Sequence, residues 1–101
     1  MRRDIEYDQE AKEDLRALSA DQRGRVRSSV DGQLVDQADI RTTNRKPTRR
    51  GALGSWELRR PPLRIFYDFD ERTVTVRAIL VKERNRYYRR GREVELDEPS
   101  E

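Results

Sequence analysis

The sequence predicts a single α+β domain, in which an N-terminal strand and a two-helix hairpin pack on a twisted four-stranded antiparallel sheet. Three observations carry this prediction. The chain has 101 residues, of which only 33% are hydrophobic, so it supports one small core. Its first third spaces apolar residues at helical intervals, and its second half alternates apolar with polar residues. The domain is placed at residues 3–96, and the acidic residues 97–101 are expected to form a disordered tail.

The N-terminal segment predicts a strand and then a helix. Ile5 and Tyr7 alternate with acidic residues, which indicates a short half-buried strand over residues 3–7. Helical spacing follows in residues 9–18, with Asp8 as the expected N-cap. The apolar residues of this helix are Ala11, Leu15 and Leu18.

A second helix is predicted to begin at Ser19. The run from Ser19 to Gln22 is typical of a capping box, in which each side chain satisfies the backbone N–H of the other residue. The apolar residues keep a four-residue spacing at Val26, Val30 and Leu34. Both helices therefore have one narrow buried stripe, and they are expected to pair as an antiparallel hairpin.

Residues 36–54 show no apolar periodicity and are predicted to be a long basic loop. Three strands in a meander follow, over residues 55–59, Leu63–Phe69 and 73–81, with turns at Pro61-Pro62 and 70–72. The third strand carries apolar residues on both faces and is therefore predicted to be central.

The segment 82–92 is basic and contains two adjacent tyrosines, Tyr87 and Tyr88. Because successive strand residues face opposite sides, one tyrosine should pack inward and the other should be exposed. Residues 93–96 are expected to return as an edge strand through a turn at Arg90-Gly91.

The net charge of +3 conceals a strong asymmetry along the chain. Residues 1–40 have a net charge of −3, residues 41–92 have +11 and residues 93–101 have −5. Twenty of the 23 cationic residues are arginine, which binds phosphate bidentately. This pattern favours a polyanionic partner for the basic half, and an ordinary solvated basic surface is the alternative.

Several classes of protein are excluded by what the sequence lacks. It has no cysteine and no histidine, which removes disulfides, thiolate metal sites and the commonest general base. No metal site and no cofactor are expected. No apolar run is long enough to span a membrane or to form a signal peptide, so a cytoplasmic protein is expected.

Three motifs resemble the RelE/ParE toxin superfamily. They are Trp-Glu-Leu-Arg at 56–59, Leu-Arg-Ile-Phe-Tyr-Asp at 63–68 and Lys-Glu-Arg-Asn-Arg-Tyr-Tyr at 82–88, and the resemblance covers residues 3–96. Members of this superfamily are toxins of type II toxin–antitoxin modules, each neutralised by a cognate antitoxin protein. The resemblance implies a metal-independent endoribonuclease that cleaves mRNA on the ribosome. It also leaves open a ParE-like inhibitor of DNA gyrase, or an inactive relative that only binds its antitoxin.

The resemblance also implies roles for individual residues. Arg64 matches the strand arginine that holds the scissile phosphate, and Arg84 matches a second one. Tyr88 is favoured as the C-terminal tyrosine, because extended geometry would place it on the side of Arg84. Lys46 completes the predicted catalytic set. The predicted RNA-binding residues are Arg45, Arg49, Arg50, Arg86, Tyr87, Arg89, Arg90 and Arg92.

The chain departs from the RelE pattern where that pattern has two strand lysines, because Ser55 and Glu57 stand there. RNA cleavage needs a base for the 2′-hydroxyl proton, and no histidine is present to serve. Glu57 and Glu83 are the alternative proton acceptors. Arg45 is an alternative to Lys46 for the cation.

Overall fold

The computed structural model describes residues 2–48 and 53–96, and its centre is a sheet with two helices on one side. The elements in chain order are β1 (Asp4–Tyr7), α1 (Gln9–Ala17), α2 (Ala20–Gln37), β2 (Arg45–Pro47), β3 (Trp56–Arg60), β4 (Leu63–Phe69), β5 (Thr73–Glu83), β6 (Arg86–Arg89) and β7 (Arg92–Val94). The predicted α+β class is confirmed. Neither helix is long and apolar enough to cross a membrane. The predicted tail at 97–101 lies outside the described residues.

Both predicted helix N-caps are present. The Ala11 amide donates to the Asp8 carboxylate over 2.8 Å. At the start of α2 the Gln22 amide donates to Ser19 Oγ over 3.2 Å, and the Ser19 amide donates to Gln22 Oε1 over 3.4 Å. These bonds satisfy donors that have no partner within the helices, so the short polar sequence before each helix determines where it begins.

Strands β2 to β7 form an antiparallel series in chain order, and β1 joins it by pairing with β5. One edge of β5 is bonded along its length to β4. The other edge is shared, because β1 pairs in parallel with Thr73–Val76 and β6 pairs antiparallel with Val81–Glu83. The long strand β5 is central, as its apolar residues on both faces predict.

The structure corrects the predicted number of strands. Seven strands lie within residues 2–48 and 53–96, against the four predicted for the sheet and one N-terminal strand. One unpredicted strand is β2, inside the segment expected to be a loop. Its inward-facing residue is Arg45, which pairs with Leu58 of β3. A strand whose buried position holds an arginine gives no hydrophobic alternation, so its sequence resembles a loop.

The second correction concerns the end of β5, which continues past the predicted limit at residue 81 to Glu83. It turns at Arg84 and Asn85, whose φ angles are 50° and 69°. Positive φ at both central residues is the geometry of the type I′ hairpin turn. The predicted turn at Arg90-Gly91 is confirmed, and both residues have positive φ.

The sheet has two differently covered faces. The face toward the helices, here called the helix face, packs strand residues such as Leu58, Ile65 and Val76 against α1 and α2. The opposite face, here called the open face, has a smaller apolar cluster. Its buried members are Phe66, Ala78, Leu80 and Tyr87.

A buried carboxylate on α1 fills a gap between β1 and β6. The backbone N–H of Ile79 lies along the edge of β5 between these two short strands, and it donates to Asp14 Oδ2 over 3.0 Å. Arg89 donates through Nε to both Asp14 oxygens, at 2.9 and 3.0 Å, and through Nη2 to the Arg77 carbonyl at 3.4 Å. Side chains thus satisfy backbone groups that a continuous strand would otherwise pair.

Candidate functional site on the open face

Three residues from neighbouring strands meet on the open face. The guanidinium carbon of Arg64, on β4, lies 5.6 Å from the centre of the Tyr87 ring. The Lys82 ammonium, on β5, lies 5.7 Å from the same centre. Lys82 and Tyr87 are register partners across the β5–β6 hairpin, which explains why they share a face. Tyr87 is only 8% exposed, and the two cations lie within the range of cation–π attraction to its ring.

A buried acid accompanies these cations. Glu57 is 2% exposed, and its Oε2 accepts a hydrogen bond from Arg64 Nη1 over 3.0 Å. Its Oε1 accepts from Arg59 Nε over 3.2 Å. Lys46 pairs in register with Glu57, so it lies on the same face, half-buried. The open face therefore combines four cations with one carboxylate that two of them already neutralise.

The apolar surface beside this charge group is continuous with a groove of about 440 Å³. Lys82, Tyr87 and Val94 line the groove together with Leu96. Val94 and Leu96 also pack against the apolar cluster of the open face. The lining also includes Arg86, Glu93 and Glu95, so an apolar floor lies beside a rim of mixed charge, a combination suited to binding a macromolecule.

Arg84 and Tyr88 do not join Arg64. Arg84 is exposed at the tip of the β5–β6 hairpin. Tyr88 pairs with Val81 on the helix face, where it lines a groove together with Arg84 and Arg86; it therefore stays beside Arg84 as expected, but away from Arg64. The turn at Arg84 and Asn85 reverses the chain and places Tyr87 on the side of Arg64. The two tyrosines face opposite sides as predicted, but neither is fully exposed.

Arg45, predicted to bind RNA or to supply a catalytic cation, is a structural residue instead. It is 2% exposed, and its Nε donates to the Ile40 carbonyl over 2.8 Å. Its other nitrogens donate to Gln33 Oε1 over 3.0 Å and to Gln37 Oε1 over 3.2 Å. The guanidinium therefore ties β2 to the end of α2, and it is not available to RNA.

Arg89 and Arg90 also have internal partners. Arg90 Nε donates to Asp14 Oδ1 over 2.7 Å, and Arg90 Nη2 donates to Glu10 Oε1 over 2.6 Å. The hydrogen bonds that Arg90 donates to Glu10 and, secondly, to Asp14 raise the pKa of Arg90. With the Arg89–Asp14 contacts, these bonds fasten the β6–β7 hairpin to α1, which gives both arginines a structural role; their predicted contact with RNA stays a prediction.

Of the remaining predicted RNA-binding residues, Arg86 lines the open-face groove, and the others are peripheral or outside the described residues. Arg86 is exposed and lies 3.5 Å from Glu93 Oε1, and Arg92 is exposed on β7. Arg49 and Arg50 lie outside the described residues.

The sequence pattern predicts no role for Lys82 or Arg59, which the structure places on the open face. A register count from the true hairpin turn would have found Lys82, because strand pairing places it opposite Tyr87. Within residues 2–48 and 53–96, no cluster of three or more acidic side chains is arranged to hold a metal ion.

The chain matches the model of a family described as the ParE toxin of the type II toxin–antitoxin system parDE, over residues 5–86. A similar solved structure is the RelBE2 toxin–antitoxin complex from Mycobacterium tuberculosis, with a TM-score of 0.70 and 23% sequence identity. The alignment covers 81% of this chain and 93% of that chain, and it shows a shared fold. No curated protein matches. This chain therefore belongs to the ParE toxin family of type II toxin–antitoxin systems.

Proposed function

We propose that this toxin inhibits DNA gyrase by binding through its open face, acts in the cytoplasm, and is neutralised there by a cognate antitoxin. The observation that carries the proposal is the buried Glu57 carboxylate held between Arg59 and Arg64. This pairing supports a binding role, because Glu57 is the most suitable proton acceptor of the site and the two arginines already occupy its carboxylate. ParE-like members of the superfamily inhibit gyrase without cutting RNA.

Metal-independent cleavage of RNA needs a base within reach of the 2′-hydroxyl and cations free to meet the phosphate. Glu57 is sequestered, because two guanidiniums already donate hydrogen bonds to its carboxylate. The alternative base, Glu83, lines a groove of the helix face together with Val81 and Tyr88. Arg64 itself already donates to Glu57, so its charge is partly neutralised.

The second candidate is a metal-independent endoribonuclease acting on ribosome-bound mRNA. One observation favours it: Arg64, Lys82 and Tyr87 converge on one face together with Lys46. Cations beside an aromatic ring suit a phosphate next to a stacked base. In this case Lys82 takes the second cationic position that the sequence assigned to Arg84.

Induction of the toxin in a bacterial host distinguishes the candidates. We expect growth arrest with an SOS response and intact transcripts, and inhibition of DNA supercoiling by purified gyrase. Lys82→Gln should weaken both effects, since Lys82 lies in the open-face group. The matched control is Arg60→Gln, which removes an exposed cation at the end of β3.

Other results would overturn the proposal. New transcript ends within coding regions, lost in Lys82→Gln and kept in Arg60→Gln, would establish the endoribonuclease. Unimpaired growth would leave the third alternative, a relative that only binds its antitoxin.

A further inference from the structure

A second basic site lies on the opposite side of the molecule, in a groove of about 470 Å³ between the end of β1 and the helix hairpin. Its apolar floor is formed by Tyr7 and Leu15. Its rim carries four cations, two from each helix: Lys12, Arg16, Arg23 and Arg27. The two cations on each helix are four residues apart, so they are separated by about 6 Å along the axis.

Three of these cations have no internal counterion. Lys12, Arg16 and Arg27 form no ion pair within the part of the chain that the structure describes, and all three are exposed. Arg23 differs, because its Nη1 donates to the Leu18 carbonyl over 2.5 Å. The groove contrasts with the β6–β7 hairpin, where acidic residues of α1 neutralise the arginines.

An unsatisfied hydroxyl lies at the same groove. The Tyr7 hydroxyl is buried, and it has no hydrogen-bond partner among the described residues. Burial, and secondly the charge of Asp31, raises the pKa of Tyr7 to about 12, while Arg27 acts to lower it. The group therefore stays protonated at neutral pH and can donate. A buried donor without an acceptor is destabilising, and an anionic oxygen bound in the groove would satisfy it.

We propose that this groove binds the phosphate backbone of a single-stranded nucleic acid. Arginine predominates on the rim, and its planar fork matches a phosphate. The tyrosine hydroxyl is a further donor to phosphate, and the floor of Leu15 and the phenol ring fits a sugar or base. The site is independent of gyrase inhibition. The charge pattern of the sequence does not predict this site, because the groove cations lie within residues 1–40, whose net charge is −3.

The test is the fluorescence anisotropy of a labelled twelve-nucleotide thymidine strand titrated with the protein at several salt concentrations. The variant carries Lys12→Gln, Arg16→Gln and Arg27→Gln together. The matched control carries Arg2→Gln, Arg60→Gln and Arg72→Gln, which remove the same charge at exposed positions elsewhere. Thermal melting verifies that both variants fold.

We expect the groove variant to lose about tenfold in affinity and its log–log salt slope to shrink by about 2, since three phosphate contacts are lost. The control should change by less than about twofold, Tyr7→Phe should weaken binding severalfold, and inorganic phosphate should compete. Equal losses in both triple variants would show only nonspecific attraction and overturn the site. Binding of a polyglutamate peptide, without binding of the oligonucleotide, would overturn it in favour of an acidic protein partner.

Discussion

Two buried carboxylates in this toxin each bind two arginines, but the two pairs of arginines come from very different distances along the chain. Asp14 is 1% exposed and binds Arg89 and Arg90, which lie more than seventy residues later in the chain. It also accepts a backbone N–H from β5. Glu57 is 2% exposed, but its partners Arg59 and Arg64 lie on its own strand and on the next one.

The difference separates a structural role from a functional one. Asp14 joins a helix, the central strand and a hairpin that is remote in sequence, and without it backbone and side-chain donors would lack acceptors. Glu57 joins strands that the sheet already pairs through backbone bonds. The main effect of Glu57 is therefore on the charge of the open face, and less on how the chain folds.

The largest expected effect is that of Asp14→Ala. Removing one partner of a buried ion pair leaves the others unsatisfied and costs about 3–5 kcal/mol. Urea denaturation should show this loss in the free energy of unfolding. The control is Glu13→Ala, since Glu13 makes only a 3.5 Å contact with Arg90 and is 41% exposed; its loss should stay below about 1 kcal/mol. Similar losses for the two variants would contradict the role assigned to Asp14.

Compared with Asp14→Ala, Glu57→Gln should have a smaller effect on stability and a larger effect on the charge of the open face. Glutamine keeps the shape and one acceptor oxygen, so we expect a loss of about 1–3 kcal/mol. Freed from its counterion, Arg64 should raise the affinity of the open face for polyanions and steepen the salt dependence, as an oligonucleotide titration measures. A stability loss as large as that of Asp14→Ala would remove the distinction between the two clusters.

A third carboxylate, Asp68, extends the comparison to a partly exposed group. Burial acts to raise its pKa, but hydrogen bonds from Ser55 and Arg77 more than offset this, so the pKa lies below its ordinary value. A carboxyl group whose pKa is lowered in the folded state stabilises the fold at pH values above its ordinary pKa of about 4. This stabilisation is lost as the pH falls.

The effect should be small, because the Asp68 side chain is 36% exposed and solvent screens its pairs. Asp68→Asn should cost about 0.5 kcal/mol at pH 7. In urea titrations, the difference from the wild type should shrink below pH 4. A difference that stays constant down to pH 2 would mean that the carboxylate charge is not what stabilises this contact.

Local features were predictable from the sequence, and features that depend on long-range register were not. The Ser19 capping box and the Arg90-Gly91 turn involve residues close in the chain, so their chemistry can be read directly. The strand containing Arg45 was missed, because its buried position is polar and acceptors on α2 satisfy it. Hydrogen bonds between a strand arginine and a helix leave no periodic pattern in the sequence.

The candidate site shows the same limit. Arg64 and the opposite orientations of the two tyrosines followed from motif and alternation. Which tyrosine shares the face of Arg64 depended on a turn at Arg84 and Asn85, and this pair lacks the glycine that usually marks such turns. The contact between Asp14 and Arg89 could be predicted only from the arrangement of the whole sheet.

The parallel pairing of β1 with β5 has a consequence for the order of synthesis. The strand Asp4–Tyr7 is synthesised before its partner Thr73–Val76, which follows about 70 residues later. Closing so long a loop is slow, so β1 and the apolar stripes of both helices remain exposed until most of the chain has emerged. A nascent or truncated chain that ends before β5 therefore has no complete sheet with which to act.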